Sequence, residues 1–314
     1  MKRIIYLILF LSAVTAITSC TKKDGAADLP QPPQNTDPFA PVPDRFTKKV
    51  LIEELTGAWC GYCPRGPHYL HAIDSTYGEE VIDYSIHVGD VMEVPELITS
   101  SGANMLDSGL FLNTGYPNGC INRGQPLSDP TDWPGAVPAE IGLYARCGLA
   151  IDASKLSGNS LSVIVHTGFA QTLNSSYRLN VFLVETGVHS ATNPAYNQHN
   201  YYSNSGGSSP DSTYNYYGGV MPMRYYDMPP EIIDYHYDMV LRKLLSGVPY
   251  GDKIPVEEMA KGHDFVKSYT VNLTGFDKNK CYIVAFVDKY GTELPQHQVQ
   301  NIQRVKVGEV KMWD

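Results

Sequence analysis

The chain has 314 residues and a formal net charge of −9, from 33 acidic and 24 basic residues. No run of lysine and arginine is long enough to follow a phosphate backbone, so nucleic acid is excluded as an expected partner. Six cysteines behind an apolar leader indicate an oxidising compartment outside the cytoplasm.

The first 19 residues are predicted to be a targeting segment. Lys2 and Arg3 precede an apolar stretch, residues 4–17, that is short for a membrane span. Ile17-Thr18-Ser19-Cys20 resembles a bacterial lipobox, which implies cleavage before Cys20 and lipidation of its sulfur. An ordinary signal peptide with an incidental cysteine is the alternative. A lipidated Cys20 would attach the protein to a membrane through acyl chains alone.

Residues 20–46 are predicted to be the lipidated cysteine and a Pro-rich tether, because proline-rich runs favour an extended conformation and cannot bury a core. The rest, about 270 residues, suits two domains. We place these domains at residues 47–146 and 147–314.

The first domain begins with an apolar run, residues 50–55, that predicts a strand. A small-residue turn follows, then Cys60 and Cys63, then a helix predicted at residues 62–77. Unpaired N–H groups and the helix dipole favour a thiolate at a helix N-terminus. We therefore expect Cys60 to be the exposed nucleophile and Cys63 to be the shielded cysteine that resolves a mixed disulfide.

The run Trp59-Cys60-Gly61-Tyr62-Cys63 resembles the redox motif of the thioredoxin superfamily, and its Gly-Tyr pair is similar to that of periplasmic disulfide isomerases. The resemblance covers roughly residues 47–146. It implies that Glu54 is a buried acid that handles the proton of the second thiol. It also implies a cis-proline at Pro117 facing the cysteines, and substrate contacts from Trp59, Gly61, Tyr62 and Tyr116.

Other interpretations of these residues remain open. Glu54 is alternatively a solvent-facing strand residue, and Tyr116-Pro117 a plain trans turn. The two cysteines alternatively form a structural disulfide, or half of a zinc site with His68 and His71, whose spacing places both on one helix face. We expect no metal and no cofactor.

The sequence after the predicted helix at 62–77 indicates the remaining strands and helices of the fold. A strand at residues 80–88, a covering helix and loop at 92–109, a strand after Pro117 and a helix at 136–146 would complete the first domain. From residue 147, six strand candidates predict an antiparallel β-sandwich, at residues 149–154, 161–167, 178–185, 269–273, 282–287 and 302–307. The predicted fold class is thus an α/β thioredoxin-like domain followed by a mainly antiparallel β-sandwich with a long loop and helix insertion.

That insertion, residues 188–265, is rich in Tyr, Asn, Gly and Ser, and only residues 232–245 have helical periodicity. The chain has 22 tyrosines. Tyr and Asn together are typical of recognition surfaces, and scattered exposed tyrosines in a glycine-rich loop are the alternative. Cys147 and Cys281 either form a structural disulfide or are both buried thiols, and Cys120 is expected to be a buried thiol.

With both halves considered, the chain resembles the "outer membrane protein twenty-eight"-related lipoproteins of Bacteroidetes. The residues that carry this resemblance are the leader ending at Cys20, the run from Glu53 to Gly66, and His236 followed by Arg242-Lys243-Leu244-Leu245. The resemblance implies an outer membrane lipoprotein, on the periplasmic face or the cell surface.

Two functions are expected from these observations. The first is a lipid-anchored thiol–disulfide oxidoreductase that acts on protein disulfides through Cys60 and Cys63, with an unknown redox partner protein. The alternative is a surface lipoprotein that recognises a protein or glycan through its C-terminal domain, with the cysteine-bearing domain as scaffold.

Overall fold

The computed structural model describes residues 37–314. Its first half contains three strands and two helices, and it begins with the predicted apolar strand: β1 (Val50–Thr56), α1 (Arg65–Tyr77), β2 (Val81–His87), β3 (Asn118–Ile121) and α2 (Trp133–Ile141). A π-helical turn, Met105–Phe111, lies between β2 and β3. Short 3₁₀ turns lie at Gly78–Glu80, Pro95–Leu97, Pro130–Asp132, Pro194–Tyr196, Tyr225–Asp227, Val256–Glu258, Lys278–Lys280 and Leu294–His297.

The second half is built from strands alone, apart from those turns. They are β4 (Cys147–Ser157), β5 (Ser160–Phe169), β6 (Tyr177–Glu185), β7 (Gln198–His199), β8 (Asn215–Tyr216), β9 (Met223–Arg224), β10 (Glu231–Ile232), β11 (Val240–Leu244), β12 (Asp252–Ile254), β13 (Asp264–Asn272), β14 (Cys281–Lys289), β15 (Val299–Lys306) and β16 (Val310–Lys311). The six strands predicted after residue 147 overlap β4, β5, β6, β13, β14 and β15, and two of them, at 269–273 and 302–307, extend one residue past the observed strand.

One large mixed sheet organises the molecule. Its strand order is β15-β14-β6-β11-β2-β1-β3, and β12 adds to β6. β2 pairs in parallel with β1 and with β11, whereas the other pairs in this sheet are antiparallel. A second, antiparallel sheet has the order β13-β5-β4-β16. Apolar side chains of both sheets form one core, among them Leu149, Val163, Val181 and Ile283.

The predicted fold class, a thioredoxin-like α/β domain followed by a separate β-sandwich, is wrong. The structure is mostly β, in mixed and antiparallel sheets, and β1, β2 and β3 are the edge of the large sheet. β11, from the insertion, joins β2 to β6. Phe39–Asp314 accordingly forms one compact unit. The predicted order of strand, turn and helix is confirmed by β1 and α1, but nothing local in the sequence signals that β2 pairs with a strand so far along the chain.

The helix predicted at residues 232–245 is also wrong, because this segment begins at the end of β10 and contains β11. The apolar residues that produced the helical spacing pack in two different clusters. Ile232 packs in a tyrosine-rich cluster, whereas Leu241 and Leu244 pack in the core of the large sheet. Pairing with β2 and β6 has overridden the local periodicity.

A buried ion cluster connects the N-terminal strand to the C-terminal half. The Arg123 guanidinium donates to both carboxylate oxygens of Glu53, over 2.7 and 2.6 Å, and to Asp288 over 3.0 Å. All three side chains are fully buried, and the Tyr84 hydroxyl also donates to Glu53. Because successive strand residues point to opposite faces, Glu53 faces this cluster and Glu54 faces away from it.

Candidate functional site

The two motif cysteines form a disulfide between β1 and α1. Cys60 and Cys63 have Cα atoms 5.4 Å apart. The Cys63 N–H donates to the Cys60 carbonyl over 3.1 Å, and the Gly66 N–H donates to the Cys63 carbonyl over 2.9 Å. These turns lead directly into α1, so the disulfide lies at its N-terminal end. The bond also rules out the zinc alternative in this state, since neither sulfur is a thiolate.

The tyrosine-rich insertion covers this disulfide. The Tyr201 N–H donates to the Gly61 carbonyl over 2.9 Å, and the Tyr202 hydroxyl donates to the Tyr62 carbonyl over 3.2 Å. Cys60 is 5% exposed and Cys63 2% exposed. The expectation of an exposed Cys60 is therefore wrong for this conformation. A segment more than a hundred residues away provides the cover, which no local pattern indicates.

Gly61 is required at the point where the insertion meets the motif. A Cβ atom there would lie 2.3 Å from a ring carbon of Tyr201, far inside van der Waals contact. The Gln198 side chain adds a hydrogen bond of 2.9 Å to the Cys60 carbonyl. Backbone, amide and ring contacts thus hold the insertion on the cysteine turn.

The residues predicted to contact substrate are divided between two sides of the disulfide. Trp59 and Tyr116 lie on one side, with ring centroids 5.2 Å apart in an edge-on arrangement. The Tyr116–Pro117 peptide bond is cis, and Pro117 is buried. On the other side, Tyr62 packs edge-on against Tyr201. Trp59 and Tyr62 remain 44% and 41% exposed, so the two rings flank a covered disulfide.

Glu54 is buried rather than solvent-facing. It is 2% exposed, and a Cβ on Gly66 would overlap its Oε1 atom, so the carboxyl lies against the first turn of α1. Burial, together with the nearby Asp83 carboxylate, raises the pKa of Glu54 well above its ordinary value. Its Oε1 atom has no hydrogen-bond partner among the described residues.

A cavity of about 370 Å³ lies beneath the disulfide, between α1, the large sheet and the insertion. Cys63 and Glu54 line it. Its other carboxylates are Asp74, Asp83 and Asp238, and Arg304 is its arginine. Five tyrosines contribute to its walls: Tyr216, Tyr217, Tyr235, Tyr237 and Tyr282. Asp74, Asp238 and His71 are solvent-exposed, so they mark the mouth of the cavity.

Two further groups set the electrostatics of this cavity. Burial, with Asp74 nearby, raises the pKa of Asp83 to about 7, so this carboxyl carries a proton for part of the neutral range. His87 lines the cavity and is 2% exposed. Its Nδ1 lies 2.7 Å from Asp90 Oδ2, and its Nε2 has no hydrogen-bond partner among residues 37–314.

The sequence indicated some of these cavity residues and missed others. Glu54 and Cys63 were identified through the motif, whereas Asp83, His87 and Arg304 were not. Alternation along β2 is the signal that was available, because Asp83, Ser85 and His87 recur at every second position and therefore face one side.

The remaining cysteines are buried free thiols. Cys147 and Cys281 are not bonded to each other, so the disulfide alternative for this pair is wrong. Burial raises the pKa of each to about 12. Cys120 is likewise free, and burial raises its pKa. Cys20 and the predicted leader lie outside the described residues. Within residues 37–314, no helix has both the length and the apolar character needed to cross a membrane.

Comparison with known proteins identifies the family. The model of the family described as outer membrane protein Omp28 matches residues 108–311, which is more than half of the chain. No curated protein matches.

Among solved structures, HBP35 of Porphyromonas gingivalis is similar with a TM-score of 0.60 at 18% identity, over 85% of this chain and 77% of that chain. This likeness concerns the fold alone. A structural-genomics target from Agrobacterium tumefaciens gives a TM-score of 0.44 at 11% identity, over 84% of this chain and 96% of that chain.

A domain of the outer membrane lipoprotein Omp28 from Porphyromonas gingivalis gives a TM-score of 0.28 at 15% identity, over 52% of this chain and 88% of that chain. The assignment of the chain to a family therefore rests on the family-model match and not on this structural likeness. The chain belongs to the outer membrane protein Omp28 family, and the predicted location of an outer membrane lipoprotein is confirmed.

Proposed function

We propose that this lipoprotein is a binding module and that the cavity beneath the disulfide is its recognition site. The observation that carries this proposal is a pair of buried polar atoms, Glu54 Oε1 and His87 Nε2, in two residues that line one cavity and without a protein partner among the described residues. Buried polar atoms are normally satisfied, so such a pair marks a place where a ligand supplies the missing hydrogen bonds.

The chemistry of the walls selects the ligand. Four carboxyl groups face one arginine, and the tyrosine rings offer faces on which a sugar or an organic cation can lie. A group rich in hydrogen-bond donors, such as an ammonium or a set of sugar hydroxyls, would satisfy Glu54 and the partly protonated Asp83. At about 370 Å³ the cavity suits a small molecule or one end unit of a larger ligand.

The disulfide has a supporting role in this proposal. It holds the cysteine turn against the start of α1, and the insertion that covers it provides several of the tyrosine walls. This differs from the recognition surface expected from composition, because Tyr202, Tyr216, Tyr225, Tyr235 and Tyr237 are buried in a cluster of their own. The tyrosines of the insertion therefore line a cavity more than they form an exposed surface.

The test uses the full chain in detergent micelles and three probes: glucosamine, glucose and n-butylamine. Glucose has only hydroxyl groups, n-butylamine has only an amine, and glucosamine has both, so the comparison shows which group the cavity recognises. We expect at least one probe to bind with a Kd below about 1 mM by calorimetry, and Glu54→Gln to weaken that binding by about tenfold. Glu257→Gln, at an exposed position, is the matched control and should bind normally. Absence of binding by all three probes, or equal binding by Glu54→Gln, would contradict the proposal.

A second candidate function is thiol–disulfide exchange, favoured by the fact that Cys63 and the Glu54 carboxyl with its raised pKa line the same cavity. A carboxyl of this kind can transfer the proton of a resolving thiol. The discriminating measurement is the reduction potential of the Cys60–Cys63 pair. A value between about −120 and −270 mV is typical of catalysts, and one below about −300 mV is typical of structural disulfides. We expect the second range.

A further inference from the structure

A cluster of two histidines and one aspartate lies where the insertion leaves and rejoins the large sheet. His189, Asp234 and His236 each offer one ligand atom, and these atoms all lie within 4.8 Å of one another. His189 Nδ1 is 2.6 Å from Asp234 Oδ1. The two imidazole rings stack with centroids 4.0 Å apart at an interplanar angle of 11°.

The backbone holds the two histidine segments in fixed register. Val188 and Tyr237 form an antiparallel bridge, with reciprocal N–H to carbonyl hydrogen bonds of 2.8 and 2.9 Å. Each histidine is the chain neighbour of one bridge residue. The Gly187 N–H donates to Asp238 Oδ1 over 3.1 Å and ties the same two segments once more. The ligand set is therefore not an encounter of two mobile loops.

Asp234 is held in an unusual backbone conformation. Its φ of 57° is in the left-handed region, which costs energy for a residue with a side chain. This conformation accompanies the placement of its carboxylate beside His189. Residues in such conformations concentrate at binding sites, where the surrounding structure maintains them.

The donor set matches a borderline divalent ion. Two imidazole nitrogens and one carboxylate oxygen are ligands that Zn²⁺ accepts at about 2.0–2.2 Å. Ligand atoms bound to one ion at those lengths lie about 3.3 Å apart, so the stacked imidazole rings must rotate to direct one nitrogen each at the ion. The His189 and Asp234 side chains are 38% and 41% exposed, which leaves access for the ion and for a further ligand.

We propose that His189, Asp234 and His236 form a Zn²⁺ site at the rim of the cavity. His236 also lines that cavity, so a bound ion would fix its imidazole at the rim and hold residue 189 against residues 234–236. The proposal is independent of the identity of the cavity ligand.

The test is calorimetric titration of ZnCl₂ into chelator-treated full chain in detergent at pH 7.5. We expect one Zn²⁺ per chain and a rise in Tm with zinc concentration. His236→Ala and His189→Gln should each weaken zinc binding by at least about tenfold. His189 is exposed, so its variant should fold even if the His236 variant does not.

The matched control is His263→Ala. His263 is another exposed histidine beside a carboxylate, 3.3 Å from Glu258, but it is not in the three-ligand cluster. Its variant should bind zinc as the wild type does. Two outcomes would overturn the proposal: no zinc uptake at 1 mM by the wild type, or zinc binding by His189→Gln equal to that of the wild type.

Discussion

Replacement of Arg123 by alanine should destabilise the whole described unit. Arg123 is fully buried and neutralises Glu53 on β1 and Asp288 on β14. Its guanidinium also lies 4.8 Å from the ring centroid of Phe286, a contact that the variant loses as well. The variant leaves two carboxylates buried without their cation.

The size of this effect follows from what remains around each carboxylate. Removing one partner of a buried ion pair costs about 3–5 kcal/mol, because the other charge stays desolvated. Asp288 keeps a hydrogen bond from Asn180 and His297 at 3.6 Å, whereas Glu53 keeps the Tyr84 hydroxyl. We therefore expect the Arg123→Ala variant to lose about 3–5 kcal/mol of its free energy of unfolding. This is a large part of the roughly 5–15 kcal/mol that typical domains possess.

The assay is urea unfolding followed by tryptophan fluorescence, in which the buried Trp133 reports on the N-terminal part. Arg224→Ala is the control, because Arg224 forms an exposed ion pair with Asp227, and such pairs are worth about 0–1 kcal/mol. The triple variant with Glu53→Gln and Asp288→Asn should recover much of the loss, since it removes the uncompensated charges.

Two results would refute this reasoning. A loss below about 1 kcal/mol would mean that the cluster is not desolvated as the structure has it. Two separate transitions, of which only the first moves in the variant, would mean that β1 and β14 do not belong to one cooperative unit.

Three further predictions concern the site and the cysteines. The Asp83→Asn variant should gain about 1–4 kcal/mol of stability relative to wild type as pH rises from about 4 to 8. The reason is the raised pKa of about 7, because the folded wild type holds a proton that the unfolded chain releases in this range. Equal pH profiles of the two proteins in urea unfolding would contradict this. Gly61→Ala should speed dithiothreitol reduction of the disulfide severalfold by displacing the covering ring, whereas Gly115→Ala, whose added Cβ meets nothing within 4 Å, should not. Cys147 and Cys281 should resist iodoacetamide in the native protein and react in urea; native labelling would show that the core between the sheets opens.

Local features of this fold could be read from the sequence, and long-range ones could not. β1, α1 and β2 follow from an apolar run, a turn and a period change within forty residues, and the strands after residue 147 follow from alternating β-branched runs. The pairing of β11 with β2 has no local signature. A segment whose periodicity fits a helix becomes strand when two open strand edges are available to it.

The same limit applies to the candidate site. The motif indicated the position of the disulfide, and the resemblance to the thioredoxin redox motif implied that Glu54 is a buried acid. Burial of both cysteines depends on Tyr201 and Tyr202, which contact the motif from another part of the chain. His189 and His236 are 47 positions apart and meet only because a backbone bridge joins their neighbours. The proximity of these two histidines therefore has no signature in their sequence spacing.

The place of β11 in the sheet also constrains the order in which the protein can fold after export. β2 emerges from the translocation channel roughly 150 residues before β11, and until then one edge of β2 is open. Exposed strand edges are templates for intermolecular pairing, and contacts between distant residues form slowly. The newly exported chain must therefore pass through a stage in which its most central pairing is missing and an open edge of β2 is available for pairing with another chain. A truncated chain that ends before residue 240 would remain at that stage.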